Sequence, residues 1–312
     1  MQDIDIQDLD NLNKEQKKLF LHDKLFYSLI ELFNLNKIPN KIIFTGSDGI
    51  GKSTIIYHLI NFLLKDTNAD YDLKNKVINS NSKVYKEIIN QTNFNFKLLK
   101  ISNEEKSISI EAVREVILFF QKTTINKKPK ICFVDGVENL NTSSSNSLLK
   151  ILEELPKNNF FFINHNNTYP LIDTVRSRCF NIKISLVKNE QLQIKKLLFS
   201  QFNLNNIFFN NLTPGQNLKM VLFLKQANLL NKNFNETILE IQNVFLENKF
   251  LFIINFLQIF IENYILELLK DNYNFNITII RKKINSLFYN LKYLGNEPRG
   301  IFFEMNYLLN IK

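Results

Sequence analysis

Apolar residues fall along this chain in two rhythms, and the change between them divides it near residue 186. Before that point, short and nearly continuous apolar runs over 41–45, 96–101, 131–134, 160–163 and 180–185 are rich in Ile, Phe and Val. Such runs predict strands of a parallel sheet, buried on both faces. Between them, apolar residues recur at three and four positions and predict helices. These helices cover 19–35, 54–64, 82–90 and 110–122, the last opened by Ser109, and a further one runs through Leu148, Leu149 and Leu152. Strand, helix and strand at this spacing predict a right-handed crossover. From residue 190 the pattern is helical throughout, with breaks near 203–206, at Thr213-Pro214-Gly215 and near 231–235, and with a turn at Pro298 and Gly300 before the last helix. Residues 65–107 are the least legible part of the front half. The expected fold class is α/β: a parallel-sheet domain (1–186), a small helical unit (187–232) and a helical bundle (233–312).

The run 250–269 raises the question of a membrane span, but Asn255, Gln258, Glu262 and Glu267 interrupt it at helical spacing. A helix with one polar stripe, packed in a bundle, is the better reading. The first ten residues alternate acids with apolar positions and do not read as a secretory signal. Two cysteines, Cys132 and Cys179, form no C-x-x-C pair, so the expectation is no zinc module, no disulfide framework and a reduced, cytoplasmic setting. The formal net charge of +9 points to an acidic partner such as nucleic acid, and equally to a general enrichment in Lys, Asn, Ile and Phe.

Candidate chemistry lies at two strand ends. Gly46-Ser47-Asp48-Gly49-Ile50-Gly51-Lys52-Ser53 is a complete G-x-x-x-x-G-K-[ST] loop between a predicted strand and a predicted helix that starts at Thr54. Gly46, Gly49 and Gly51 let backbone N–H groups close around a phosphate. Lys52 supplies a point charge, Ser53 offers a hydroxyl to magnesium, and the helix start adds its positive dipole end. Asp135 ends the 131–134 strand, where open α/β sheets place their ligands, and is the second candidate magnesium holder. The alternative is a Gly-rich turn in an α/β domain that binds nothing.

Two further segments carry a family resemblance. Ser145-Asn146-Ser147-Leu148-Leu149-Lys150-Ile151-Leu152-Glu153-Glu154-Leu155-Pro156 and Thr174-Val175-Arg176-Ser177-Arg178-Cys179 resemble the corresponding helix and Ser-Arg-Cys segment of bacterial clamp-loader subunits, AAA+ proteins of DNA polymerase III. The order of P-loop, Asp135 strand, helix and segment is similar as well. Within that family the chain looks like the delta-prime branch. It has no zinc cysteines, Gly136 stands where a glutamate is common after the aspartate, and Gln216 stands where a lid arginine is common.

The resemblance implies an AAA+ P-loop domain, a helical lid and a C-terminal collar that joins the other loader subunits (gamma/tau and delta). It implies ATP-dependent loading of a sliding clamp on primer-template DNA, with Arg178 acting in trans on a neighbour's ATP. Gly46, Gly49, Gly51, Lys52, Ser53, Thr54 and Asp135 would take ATP and magnesium, with His165 at the phosphate-sensing position. Ser143, Asn146 and Lys150 would lie near DNA, although an ordinary helix start followed by a solvated lysine explains them equally. Own-site hydrolysis is expected to be weak or absent. A stand-alone P-loop ATPase or kinase, or the motor subunit of the same loader, are the alternatives.

Overall fold

The computed structural model of the 312-residue chain describes residues 9, 12–101, 107–122, 126, 128–204, 209, 212–248, 251–271 and 275–310. Most of the acidic start, along with positions 127, 205–206 and 250 of the expected turn, break and apolar run, lies outside them. The strands are β1 (Lys41–Gly46), β2 (Tyr71–Asp72), β3 (Val77–Ile78), β4 (Phe96–Lys100), β5 (Ile131–Asp135), β6 (Phe160–Asn166) and β7 (Phe180–Lys183). The helices are α1 (Leu12–Glu15), α2 (Asp23–Asn34), α3 (Lys52–Leu64), α4 (Lys83–Ile89), α5 (Ile110–Gln121), α6 (Thr142–Glu153), α7 (Asp173–Arg176), α8 (Lys188–Gln201), α9 (Pro214–Gln226), α10 (Phe234–Asn248), α11 (Leu251–Asp271), α12 (Phe275–Tyr289) and α13 (Pro298–Leu308). The described residues of 5–206 form one compact unit together with Thr213–Leu218, and those of 207–212 and 219–312 form a second.

In the first unit five strands make one parallel sheet in the order β4-β5-β6-β1-β7. Because successive strand residues point to opposite faces, the runs of β1, β5 and β6 feed two cores at once, whereas the edge strand β7 is mostly exposed. Ile42, Phe44, Phe133 and Phe162 pack on one face with α2 and α3. Ile43, Cys132, Val134, Phe161 and Ile163 pack on the other with Val113 and Val116 of α5 and Leu148 and Leu152 of α6. Ser109 caps α5 through the N–H of Ala112, as its position predicts. Asn141, rather than a serine, caps α6 by accepting from Ser144 N at 2.9 Å.

The poorly legible stretch contains a small antiparallel ribbon, β2 paired with β3. It carries Tyr71 into the core, where the hydroxyl meets Nδ1 of His58 at 2.9 Å while Nε2 of His58 meets the Gln16 carbonyl at 3.0 Å. His58 is fully buried on α3. Burial pulls its pKa down to about 4, outweighing the opposing bond to Gln16. Since the unfolded chain protonates near pH 6.5, the folded state is fully favoured above that value and loses stability as pH falls toward 4. Urea unfolding at pH 7 and pH 4.5 should show this loss, at most about 3 kcal/mol when complete. A His58→Gln variant should show a flatter pH dependence over that window.

The second unit is helical. In α11 the residues Ile253, Ile254, Phe256, Leu257, Ile261 and Ile265 are buried. Part of the expected polar stripe is not simply solvated. Glu262 accepts from Nε of Arg281 at 2.8 Å and from Asn285 at 3.1 Å, and Gln258 meets Asn285, forming a polar seam against α12. Among the described residues no helix is long and apolar enough to cross a membrane.

Candidate functional site

The P-loop runs out of β1, turns through Gly49 (φ 75°) and Gly51 (φ 97°), and enters α3 at Lys52. Apart from Thr54, α3 is buried along its whole length, which anchors the loop rigidly at its helical end. Lys52 is buried, and its Nζ donates to the carbonyls of Gly46 at 2.7 Å and Ser47 at 2.6 Å. Burial lowers its pKa, and the charges of Asp48, Glu138 and Asp135 oppose that shift.

Across the sheet, β5 and β6 run in register with Asp135 opposite Asn164. Ser53 Oγ donates to Asp135 Oδ1 at 3.0 Å, and Asn164 Nδ2 donates to the same carboxylate oxygen at 2.6 Å and to Ser53 Oγ at 3.0 Å. Helix, strand and neighbouring strand thus bring a lysine, a hydroxyl, a carboxylate and an amide to one end of the sheet. Oδ1 of Asn164 is buried without a partner. A buried orphan acceptor beside a hydroxyl and a carboxylate suits a hydrated hard cation, and the glycine turns with Lys52 suit a phosphate. The residues therefore fit a magnesium nucleotide: Lys52 and the loop N–H groups would hold phosphate, and Ser53 and Asp135 the cation.

His165, the residue expected at the phosphate-sensing position, meets the Tyr169 carbonyl through Nε2 at 3.0 Å, while its neighbour Asn164 lies beside Ser53 and Asp135. The reason is the two-residue period of a strand, since a shift of one flips a side chain to the other face. Phase against Asp135 was the available signal.

At the opposite rim of the loop, the start of α9 lies directly on it. Gly215 N donates to the Gly49 carbonyl at 2.8 Å and Thr213 Oγ1 to the Asp48 carbonyl at 2.7 Å. A Cβ on Gly215 would stand 2.9 Å from Cα and the carbonyl oxygen of Gly49, so glycine is the residue that permits this approach. Gln216 turns its Oε1 back to Thr213 N at 3.2 Å.

Arg178, just after α7, is half-exposed. Its Nε and Nη2 donate to Glu153 Oε1 at 2.9 and 2.6 Å, and Nη1 donates to the Thr174 carbonyl at 3.0 Å. The two motif segments thus meet through an ion pair at the end of α6. Ser143, Asn146 and Lys150 are exposed on α6 at spacings of three and four, and so share one face. Among the described residues no group of three or more His, Cys, Asp and Glu is arranged to hold a metal ion by itself.

A P-loop strand separated from the Asp135 strand by one further parallel strand, with helices on both faces and a helical second unit, defines a P-loop fold of the AAA+ type. Within that class the profile of the family described as "DNA polymerase III, delta subunit" matches residues 21–188. The chain belongs to this clamp-loader family. It is 29% identical over 191 residues to the DNA polymerase III subunit delta' of Buchnera aphidicola from Schizaphis graminum, covering 59% of this chain and 55% of that one. It is 24% identical over 176 residues to the subunit gamma of the same organism, covering 56% and 46%. With the delta' subunit of Buchnera aphidicola from Baizongia pistaciae it shares 26% identity over 271 residues, covering 79% and 76%. The chain spans about half the length of the first two relatives.

Proposed function

We propose that this chain is the delta-prime member of a DNA polymerase III clamp loader. It would assemble with gamma/tau and delta subunits, and within that ring take part in ATP-dependent placement of a sliding clamp on primer-template DNA. What carries the reading is the pairing of two sites of different character. One is a P-loop constellation (Lys52, Ser53, Asp135, Asn164) with no side chain at Gly136. The other is a half-exposed guanidinium, Arg178, at the outer end of the family segment. Arg178 would act on a nucleotide bound by a neighbouring subunit, where a guanidinium offsets charge developing on the transferred phosphoryl group. Its present partner Glu153 is a surface carboxylate, and such pairs exchange at little cost. The α6 face of Ser143, Asn146 and Lys150 would meet duplex phosphates inside the ring. Residues 187–232 would serve as lid and 233–312 as collar. Bound ATP and magnesium would supply phosphoryl and cation at this chain's own loop, with turnover there slow, because Gln216 offers no lid guanidinium.

The test is a reconstituted ring with Lys52→Ala in this subunit alone. Nucleotide affinity of the isolated variant should fall on the order of 10- to 100-fold, the loss of a charge-assisted phosphate contact. Clamp loading by the ring should stay close to wild type. A ring that stops loading with Lys52→Ala makes this chain a motor subunit, the reading that its full P-loop and its likeness to a gamma subunit would then favour.

A further inference from the structure

The position after Asp135 has no side chain, yet a carboxylate comes close to it from two residues further on. Gly136 adopts a left-handed conformation (φ 88°, ψ 70°) and turns the chain into a short 3-10 turn, Val137–Asn139. That turn swings Glu138 back toward the sheet. A Cβ built on Gly136 would meet Asn139 Nδ2 at 2.5 Å, and Glu138 Oε1 lies beside the same point at 3.7 Å. The other oxygen, Oε2, accepts from the backbone N–H of Asn166 at 3.3 Å, which ties the carboxylate to the end of β6, two residues past Asn164. The turn brings it within electrostatic range of both Lys52 and Asp135.

We propose that Glu138 is the water-positioning carboxylate of this P-loop, held at the end of β6 by Asn166 N–H and by the turn that follows Gly136. The proposal rests on the nucleotide reading of the loop given above. Water would attack the γ-phosphorus of a nucleoside triphosphate, a new P–O bond forming as the bond to the β-phosphate oxygen breaks. Glu138 accepts the water proton and releases it to solvent, so that triphosphate and water become diphosphate, inorganic phosphate and a proton. Burial raises the carboxyl pKa, the direction that makes it a better proton acceptor, while Lys52 and the Asn166 N–H hold the charged form in place. The same charge faces a γ-phosphate when one is bound, so the carboxylate also works against triphosphate affinity.

The test uses the full chain with magnesium and fluorescent ATP and ADP analogues, comparing wild type with Glu138→Gln. The substitution keeps shape and removes charge. Glu138→Gln should bind the ATP analogue on the order of tenfold tighter, from the loss of a like-charge repulsion at short range. Its affinity for the ADP analogue should change by less than about threefold, because the diphosphate lacks the group that faces position 138. Single-turnover hydrolysis at saturating protein should slow by about 100-fold or more. A drop in melting temperature with an unchanged ATP-to-ADP preference and rate would make Glu138 a structural anchor for β6 and overturn the proposal. If wild type binds neither analogue, the nucleotide reading of the loop fails first and this inference falls with it. If wild type binds and Glu138→Gln changes nothing, only the role of Glu138 is lost.

Discussion

Replacing Arg178 by alanine or lysine in a reconstituted ring should slow hydrolysis at the neighbouring site on the order of a thousandfold. That is the effect expected when a guanidinium supplied across a subunit boundary is removed. Lysine should fail almost as fully as alanine, because a compact ammonium cannot reproduce the planar two-donor fork with which Arg178 already grips Glu153 Oε1 through Nε and Nη2. The variants should fold normally. The pair with Glu153 is half-exposed on one side and more open on the other, and such a surface pair contributes at most about 1 kcal/mol. If the other sites of the proposed ring carry arginines of their own, total steady-state turnover should fall only in part, while completed clamp loading falls further. The measurements are DNA- and clamp-stimulated phosphate release, loading of labelled clamp, and co-elution of the variant with its partners. A ring with Arg178→Ala that loads at the wild-type rate removes the in-trans role.

The largest stability effect should come from Phe133→Ala. Phe133 is fully buried on β5 and meets the Tyr57 ring of α3 edge-on, with centroids 5.3 Å apart and planes at 90°. It therefore ties the strand that delivers Asp135 to the helix that delivers Lys52 and Ser53. Removing the ring leaves a cavity in a packed layer and should cost about 3–5 kcal/mol. Against a typical total of about 5–15 kcal/mol, that is a large share of what holds the domain folded. Urea unfolding followed by circular dichroism should show the loss as a lower midpoint with little change in slope. Nucleotide binding should weaken with it, since Ser53 and Asp135 lose their common support. A change below about 1 kcal/mol would mean that the neighbouring phenylalanines collapse into the space.

Much of the first unit was readable in the chain because its signals are local. The five apolar runs are strands, Ser109 caps α5 as its position indicates, and the glycine loop before Lys52 turns in left-handed conformations that glycine adopts without strain. Asp135 falls at a strand end because the apolar run stops there. The motif segments around Leu148 and Arg178 were equally plain as residue patterns. The β2–β3 ribbon was not. Its strands are two residues each, too short for a period to show, and they are held by long-range bonds from Tyr71 to His58 and from Leu19 N to the Lys76 carbonyl.

By itself, then, the sequence determined the α/β class, the P-loop, the aspartate at its strand end and the family. Each of these rests on neighbours within a few residues or on a contiguous motif. Only the tertiary structure decided which strand face each polar residue takes and which distant groups converge. It put Asn164 rather than His165 beside Ser53, tied Glu138 to the end of β6 through Asn166 N–H, and laid Gly215 on Gly49 across more than 160 residues of chain. Such choices depend on register between paired strands and on one left-handed turn. A shift of a single residue reverses the first, and the second redirects every side chain that follows it, so neither is written in a local pattern of apolar and polar positions.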